Sequence, residues 1–154
     1  MTDARDLALD RLLAAAGEDR ATLLPLLHAI QAEFGWIDDP TVARVAAALN
    51  LSRADVHGVV TFYHDFRRAP PGRHVLKLCG AEACQAMGAA SLIARAEARI
   101  ATPMHSTRGD GAVTLEPVYC LGLCSVAPSA MLDGEVHGQL TEARLDALLD
   151  AAVA

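Results

Sequence analysis

His74-Val75-Leu76-Lys77-Leu78-Cys79-Gly80-Ala81-Glu82-Ala83-Cys84 and Val118-Tyr119-Cys120-Leu121-Gly122-Leu123-Cys124 decide how this chain is read. The first opens as a strand, and the second completes one that starts at Val113-Thr114-Leu115-Glu116; each strand ends on a cysteine that begins a glycine-containing loop. Two neighbouring strand ends can therefore bring four thiols together. Between the runs, from about Cys84 to Ile100, the sequence is Ala-rich, with Leu92, Ile93, Ala96 and Ile100 at helical spacing. Beyond them, Ser129 to Asp133 and Glu135 to His137 flank Asp133-Gly134, which predicts a tight hairpin. Thr141 then caps a last helix carrying Leu145, Leu148 and Leu149. The order β-α-β-β-α is an α/β layer with one crossover and one hairpin.

Upstream the texture is helical. Leu7, Leu9, Leu12 and Leu13 belong to a short opening helix. Leu23, Leu26, Leu27, Ile30 and Phe34 form one apolar helix face, with Pro25 in its first turn and Gly35 as its stop. Asp39-Pro40 predicts a cap and first-turn proline for a helix carrying Val42, Val45, Ala46 and Leu49 inward, closed by Asn50. Ser52-Arg53-Ala54-Asp55 predicts a capping box for a fourth helix through about His64. Arg67-Arg68-Ala69-Pro70-Pro71-Gly72 breaks the pattern. This divides the chain into a helical bundle, residues 1–71, and an α/β domain, residues 72–154.

The 154 residues are 53 % hydrophobic and 21 % charged, enough to build a core and exclude bulk disorder. Aromatics are only 4 %, and much of the apolar content is alanine, which favours closely packed helices over a thick β-sandwich. The net charge of −6 divides evenly, with 7 basic and 10 acidic side chains in residues 1–72 and 6 and 9 in residues 73–154. No basic patch stands out, so nucleic acid is not an expected partner. No apolar run approaches the roughly 18 residues of a membrane span, and Met-Thr-Asp-Ala-Arg-Asp lacks the layout of a signal peptide. A cytoplasmic, thiol-reducing setting is expected, and with it cysteines that stay reduced or bind something.

Cys79-x4-Cys84 and Cys120-x3-Cys124 leave three readings open. A [2Fe–2S] cluster needs four thiolates and accepts a Cys-x4-Cys loop. Structural zinc is possible, although a four-residue gap is at the long edge of its knuckle spacings and no histidine follows at ligand spacing. Unliganded core cysteines are the third. A thioredoxin-type dithiol would want Cys-x-x-Cys, which is absent. Gly80, Gly88 and Gly122 permit backbone N–H groups to approach anionic sulfurs, and a helix starting near Cys84 would add its positive end. No Lys or Arg lies inside either pair, which favours a low reduction potential for any cluster there. None of the six histidines stands in a Rieske-type arrangement.

At these residues the chain resembles the thioredoxin-like [2Fe–2S] subunits of NAD-linked redox complexes. That family includes the 24 kDa-type subunit of respiratory complex I and its relatives in NAD-reducing hydrogenases and formate dehydrogenases. The likeness runs through Leu24-Pro25-Leu26-Leu27-His28, Gly35-Trp36-Ile37, Val56-His57-Gly58-Val59-Val60-Thr61-Phe62-Tyr63 and Gly72-Arg73-His74-Val75. It continues in the two cysteine pairs and Ala127-Pro128. Cys79-Gly-Ala-Glu-Ala-Cys84-Gln-Ala-Met-Gly88 is most similar to the formate-dehydrogenase branch. The resemblance implies a helical bundle followed by a thioredoxin-like domain, with Cys79, Cys84, Cys120 and Cys124 as ligands of one [2Fe–2S] cluster. It also implies a flavoprotein partner with FMN and the NAD site, and a large subunit with a molybdenum cofactor. The chain itself would contribute electron transfer and no catalytic residue. By analogy with thioredoxin-like folds, the Ala127–Pro128 bond is expected to be cis. The rival within the same class is the equivalent subunit of respiratory complex I or of an NAD-reducing hydrogenase; the rival of a different class is a zinc-stabilised interaction module.

Overall fold

The computed structural model describes residues 4–153. The chain separates into two compact units, Met1–Pro70 and Pro71–Ala154.

The first unit holds α1 (Ala4–Ala16), α2 (Leu23–Phe34), α3 (Asp39–Ala48) and α4 (Arg53–Phe62), with a 3₁₀ turn at Arg20–Thr22 leading into α2. Its core joins Leu9 of α1, Leu26, Leu27 and Ile30 of α2, Val42 and Val45 of α3, and Val56 and Val60 of α4. Gly35 stops α2 in the left-handed region at φ 81°, its N–H returning to the Gln31 carbonyl at 2.7 Å. The cap of α3 is Asp38, one residue before the expected Asp39: its carboxylate accepts the Thr41 N–H at 2.8 Å. Asp39 is already helical, and its side chain pairs with Arg68 instead. The helix α4 ends at Phe62, two residues short of His64, where Tyr63 turns extended. Phe66 is buried against His28, with ring centroids 4.9 Å apart, while Phe62 and Tyr63 are exposed.

The capping box of α4 forms in both directions. Ser52 Oγ accepts the Asp55 N–H at 3.1 Å, and the Asp55 carboxylate accepts the Ser52 N–H at 3.1 Å. The Ser52 hydroxyl also donates to the Asp55 carboxylate at 2.7 Å, and with the Ser52 N–H it holds that carboxyl below its ordinary value. Ser52→Ala removes the side-chain half of the box and is expected to lower unfolding free energy by about 1 kcal/mol. Urea denaturation of the two proteins, with unchanged slope, checks this.

The second unit holds β1 (His74–Cys79), α5 (Glu82–Ala86), α6 (Ala89–Ile100), β2 (Ser106–Thr107), β3 (Val113–Val118), β4 (Ala130–Leu132), β5 (Glu135–His137) and α7 (Glu142–Val153). The five strands form one sheet in the order β2-β3-β1-β4-β5. β1 and β3 are parallel and joined by the helical crossover; β4 runs antiparallel to β1, and β5 to β4. The class is α/β, as the element order predicts, with two differences. A two-residue edge strand, β2, adds to β3. The helix expected over Cys84–Ile100 is two helices, broken where Gly88 takes φ 90°.

Alternation along the strands places Leu76 and Leu78, Val113 and Leu115, and Ala130 on one face of the sheet. They share a core with Leu92, Ala96 and Ile100 of α6 and Leu145, Leu149 and Ala152 of α7. An ion-pair ladder ties the two helices together, Arg95 to Asp146 at 2.7 Å and Arg99 to Asp150 at 2.6 Å. Pro117 sits in β3 without breaking the sheet. The carbonyls of Val113 and Leu115 accept from Arg108 and His105, on the β2 side. By alternation the Pro117 nitrogen points the same way, past the last β2 pair. The β4–β5 hairpin turns on Asp133 and Gly134, both at positive φ, as the Asp-Gly pair predicts.

Candidate functional site

Parallel pairing creates the site. β1 and β3 lie side by side in a register that sets Cys79 opposite Val118. Both strands therefore leave the sheet at the same carboxyl edge, and the loops after them carry Cys84, Cys120 and Cys124. Such an edge is where open α/β sheets place their ligands. The antiparallel neighbour β4 closes the third side: the Cys79 N–H donates to the Ser129 carbonyl at 3.0 Å. The Ala127–Pro128 peptide just before it is cis.

The four cysteines are free thiols in two environments. Cys79 and Cys84 are each 2 % exposed and pack with Ala89, Ala81, Val118, Leu121 and Ala127. Cys120 and Cys124 are exposed, with their sulfurs 3.7 Å apart. Two thiolates on one tetrahedral metal at about 2.3 Å stand about 3.8 Å apart, so this pair already has the separation of ligands sharing an ion. Among the described residues, no three His, Cys, Asp or Glu side chains converge on one point as a lone ion requires. A two-iron cluster asks for something else, two pairs of thiolates on two irons.

Hydrogen bonding around the sulfurs is supplied by the main chain, one hydroxyl and the neighbouring thiols. Burial pushes the Cys79 thiol up, but donors outweigh it and bring it below its ordinary value. Those donors are the Ala81 N–H, the Cys84 side chain, the Cys120 N–H and Ser129. Cys120 itself takes φ 88°, a left-handed conformation that costs a non-glycine residue of order 1–3 kcal/mol. Gly122, at φ 77°, then turns its N–H back onto the Cys120 sulfur at 3.4 Å. Cys124 is pushed up by hydrogen bonding and charge at Cys120, then by burial and by Cys84 and Cys79. A bound cationic metal relieves the crowding of negative charge that raises Cys124. The residues present fit a four-thiolate iron–sulfur group.

The sequence places the donors only in part. Of the three glycines, Gly122 alone donates to a sulfur; the Gly80 N–H goes to the Val118 carbonyl at 2.9 Å and that of Gly88 to the Gln85 carbonyl at 3.0 Å. The expected helix dipole is also reduced. Cys84 lies inside the five-residue α5, and α6 starts beyond it at Ala89. Two features carry no sequence signal of their own: the buried hydroxyl of Ser129, 3.5 Å from the Cys84 sulfur, and the side chain of Gln85, which clamps the loop through the Gly80 carbonyl at 2.7 Å. On the outside of the loops, Tyr119 and Met87 are strongly exposed.

A family profile described as thioredoxin-like [2Fe-2S] ferredoxin matches residues 9–153. A subunit of the NADH-quinone oxidoreductase of Pseudomonas aeruginosa is 33 % identical over 88 % of this chain and 82 % of its own length. A subunit of the NADH-quinone oxidoreductase of Rhizobium meliloti is 37 % identical over 86 % of this chain and 79 % of its own. Among solved structures, an NAD+-reducing [NiFe]-hydrogenase in its air-oxidized state superposes with a TM-score of 0.72 at 26 % identity over 85 % of this chain. The present chain spans about a fifth, 22 %, of that hydrogenase chain. Among the described residues no helix is long and apolar enough to cross a membrane.

Proposed function

Because the chain belongs to the thioredoxin-like [2Fe–2S] ferredoxin family, we propose that Cys79, Cys84, Cys120 and Cys124 hold its cluster and that the chain is an electron-transfer subunit of an NAD-linked formate dehydrogenase. The observation that supports this most directly is the convergence of both cysteine loops at the carboxyl ends of two adjacent parallel strands. A [2Fe–2S] group supplies a place for one electron at a time. That lets a two-electron flavin on a partner protein communicate with one-electron carriers. The residues around the sulfurs position and insulate: Leu121, Val118 and Ala127 exclude water from Cys79 and Cys84, while Ala81, Cys120 and Gly122 present N–H groups to the sulfurs.

The formate-dehydrogenase assignment is supported by the loop Cys79–Gly88. In that reading a molybdenum subunit oxidises formate, a flavoprotein reduces NAD+, and this cytoplasmic chain docks on the flavoprotein. A second reading has a specific observation behind it: the curated relatives at 33 to 37 % identity are named as components of NADH-quinone oxidoreductase. Purification of the native complex separates the two. Formate-dependent reduction of NAD+ together with a molybdenum subunit is the expected result; NADH-dependent quinone reduction without molybdenum assigns the chain to the respiratory enzyme.

The cluster itself is tested by anaerobic iron, sulfide and zinc analysis with low-temperature EPR. Two irons and two sulfides per chain, with an S = 1/2 signal only after dithionite, are expected. Stoichiometric zinc without sulfide, in protein from native cells, would leave a structural module and no electron carrier.

A further inference from the structure

We propose that the Ser129 hydroxyl tunes the reduction potential of the group held by the four cysteines, by donating a hydrogen bond to the sulfurs on its buried side. The proposal rests on the four-thiolate reading and goes beyond it. Ser129 is a polar side chain only 2 % exposed, one residue ahead of β4 and beside the end of β1. Its carbonyl accepts the Cys79 N–H at 3.0 Å, which fixes the backbone, and its Oγ stands 3.5 Å from the Cys84 sulfur. Leu78, Ala89, Leu92 and Leu140 line the cleft it faces and are apolar.

With free thiols either atom of the Ser129–Cys84 contact can donate. A metal-bound thiolate has no proton to give, so only one polarity remains, hydroxyl hydrogen to sulfur. One electron supplied by the titrant would reduce the bound group without a proton, and the added negative charge would be shared by its sulfurs. A hydrogen bond to an anionic sulfur strengthens as that charge grows, so it favours the reduced form and raises the potential. The effect is marked here because neither cysteine pair encloses a Lys or Arg, and the hydroxyl is screened from water. Ser129 is a positioning residue: it acts through Cys84 and Cys79, not on the irons.

The test is a potentiometric EPR titration of the loaded protein with Ser129→Ala, Ser129→Thr and Ser129→Val. Thr and Val have the same shape and differ in the hydroxyl, so their comparison separates hydrogen bonding from packing. Removing the hydroxyl is expected to lower the reduced-to-oxidised ratio at fixed potential about fivefold, a shift of about 40 mV downward at 59 mV per tenfold. Thr is expected to stay near wild type, and Val to follow Ala. Equal midpoints in Thr and Val, with two irons per chain in both, overturn the proposal and leave the cluster reading intact. Failure of Thr to load, with its hydroxyl retained, overturns it as well, because the site would then be sensitive to shape. Wild-type protein without iron and sulfide would instead remove the reading on which the proposal rests.

Discussion

Cys79→Ser is expected to leave a folded chain with less than about a tenth of the wild-type iron and sulfide, while Cys120→Ser loses the cluster only in part. Iron–sulfur groups are held by thiolates, and a serine hydroxyl gives up its proton far less readily than a thiol. At Cys79 the substitution is nearly isosteric, and the Ala81 N–H, the Cys120 N–H and Ser129 donate as readily to oxygen. Nothing in the fold is lost, yet a hydroxyl is far harder to ionise than a thiol, and a residue 2 % exposed has no solvent to add to those donors in stabilising an alkoxide. Cys120 differs: it is exposed, and water can reach the iron it would serve. Iron and sulfide per chain, the visible spectrum and far-UV circular dichroism check both variants side by side. Full iron with an unchanged spectrum in Cys79→Ser would take that residue out of the ligand set.

The contrast between the two pairs is not legible in the sequence, although the pairs themselves are. Strand ends, turn residues and caps are local signals, so β1, β3, the Asp133-Gly134 hairpin and the Ser52 box can be read directly from residue types. Burial of Cys79 and exposure of Cys120 depend on which strand covers which loop. That is decided by β4 lying against β1 across about fifty residues of chain. The importance of Ser129 hides for the same reason: a lone serine carries no pattern, and its hydroxyl meets Cys84 only through non-local pairing. The strand β2 escapes because two residues show no periodicity. The break between α5 and α6 escapes because alanine favours helix on both sides of Gly88, so only the positive φ there marks the interruption. The shift of the α3 cap from Asp39 to Asp38 follows the backbone: Asp38 is extended and Asp39 already helical, so it is the Asp38 carboxylate that accepts the Thr41 N–H.

Leu78→Ala is expected to cost about 2–5 kcal/mol of unfolding free energy while leaving all four cysteines in place. Leu78 is buried at the centre of the sheet, opposite Pro117 of β3 and Ala130 of β4, and belongs to the core shared with α6 and α7. Deleting its three outer carbons leaves a cavity that a sheet held on both sides cannot close. It is also the residue immediately before Cys79, so the same change loosens the strand end from which the first sulfur projects. Against a total domain stability of about 5–15 kcal/mol this is a large fraction. Urea melts of apo and loaded protein test it, and the loaded form adds a second reading. A group bound only by the folded state stabilises it by mass action, so loading is expected to recover part of the loss in Leu78→Ala, with the cluster itself bound less tightly. A loss below about 1 kcal/mol in the apo protein would mean that the sheet relaxes around the cavity, and that the strand ends are held by the cysteine loops more than by the core beneath them.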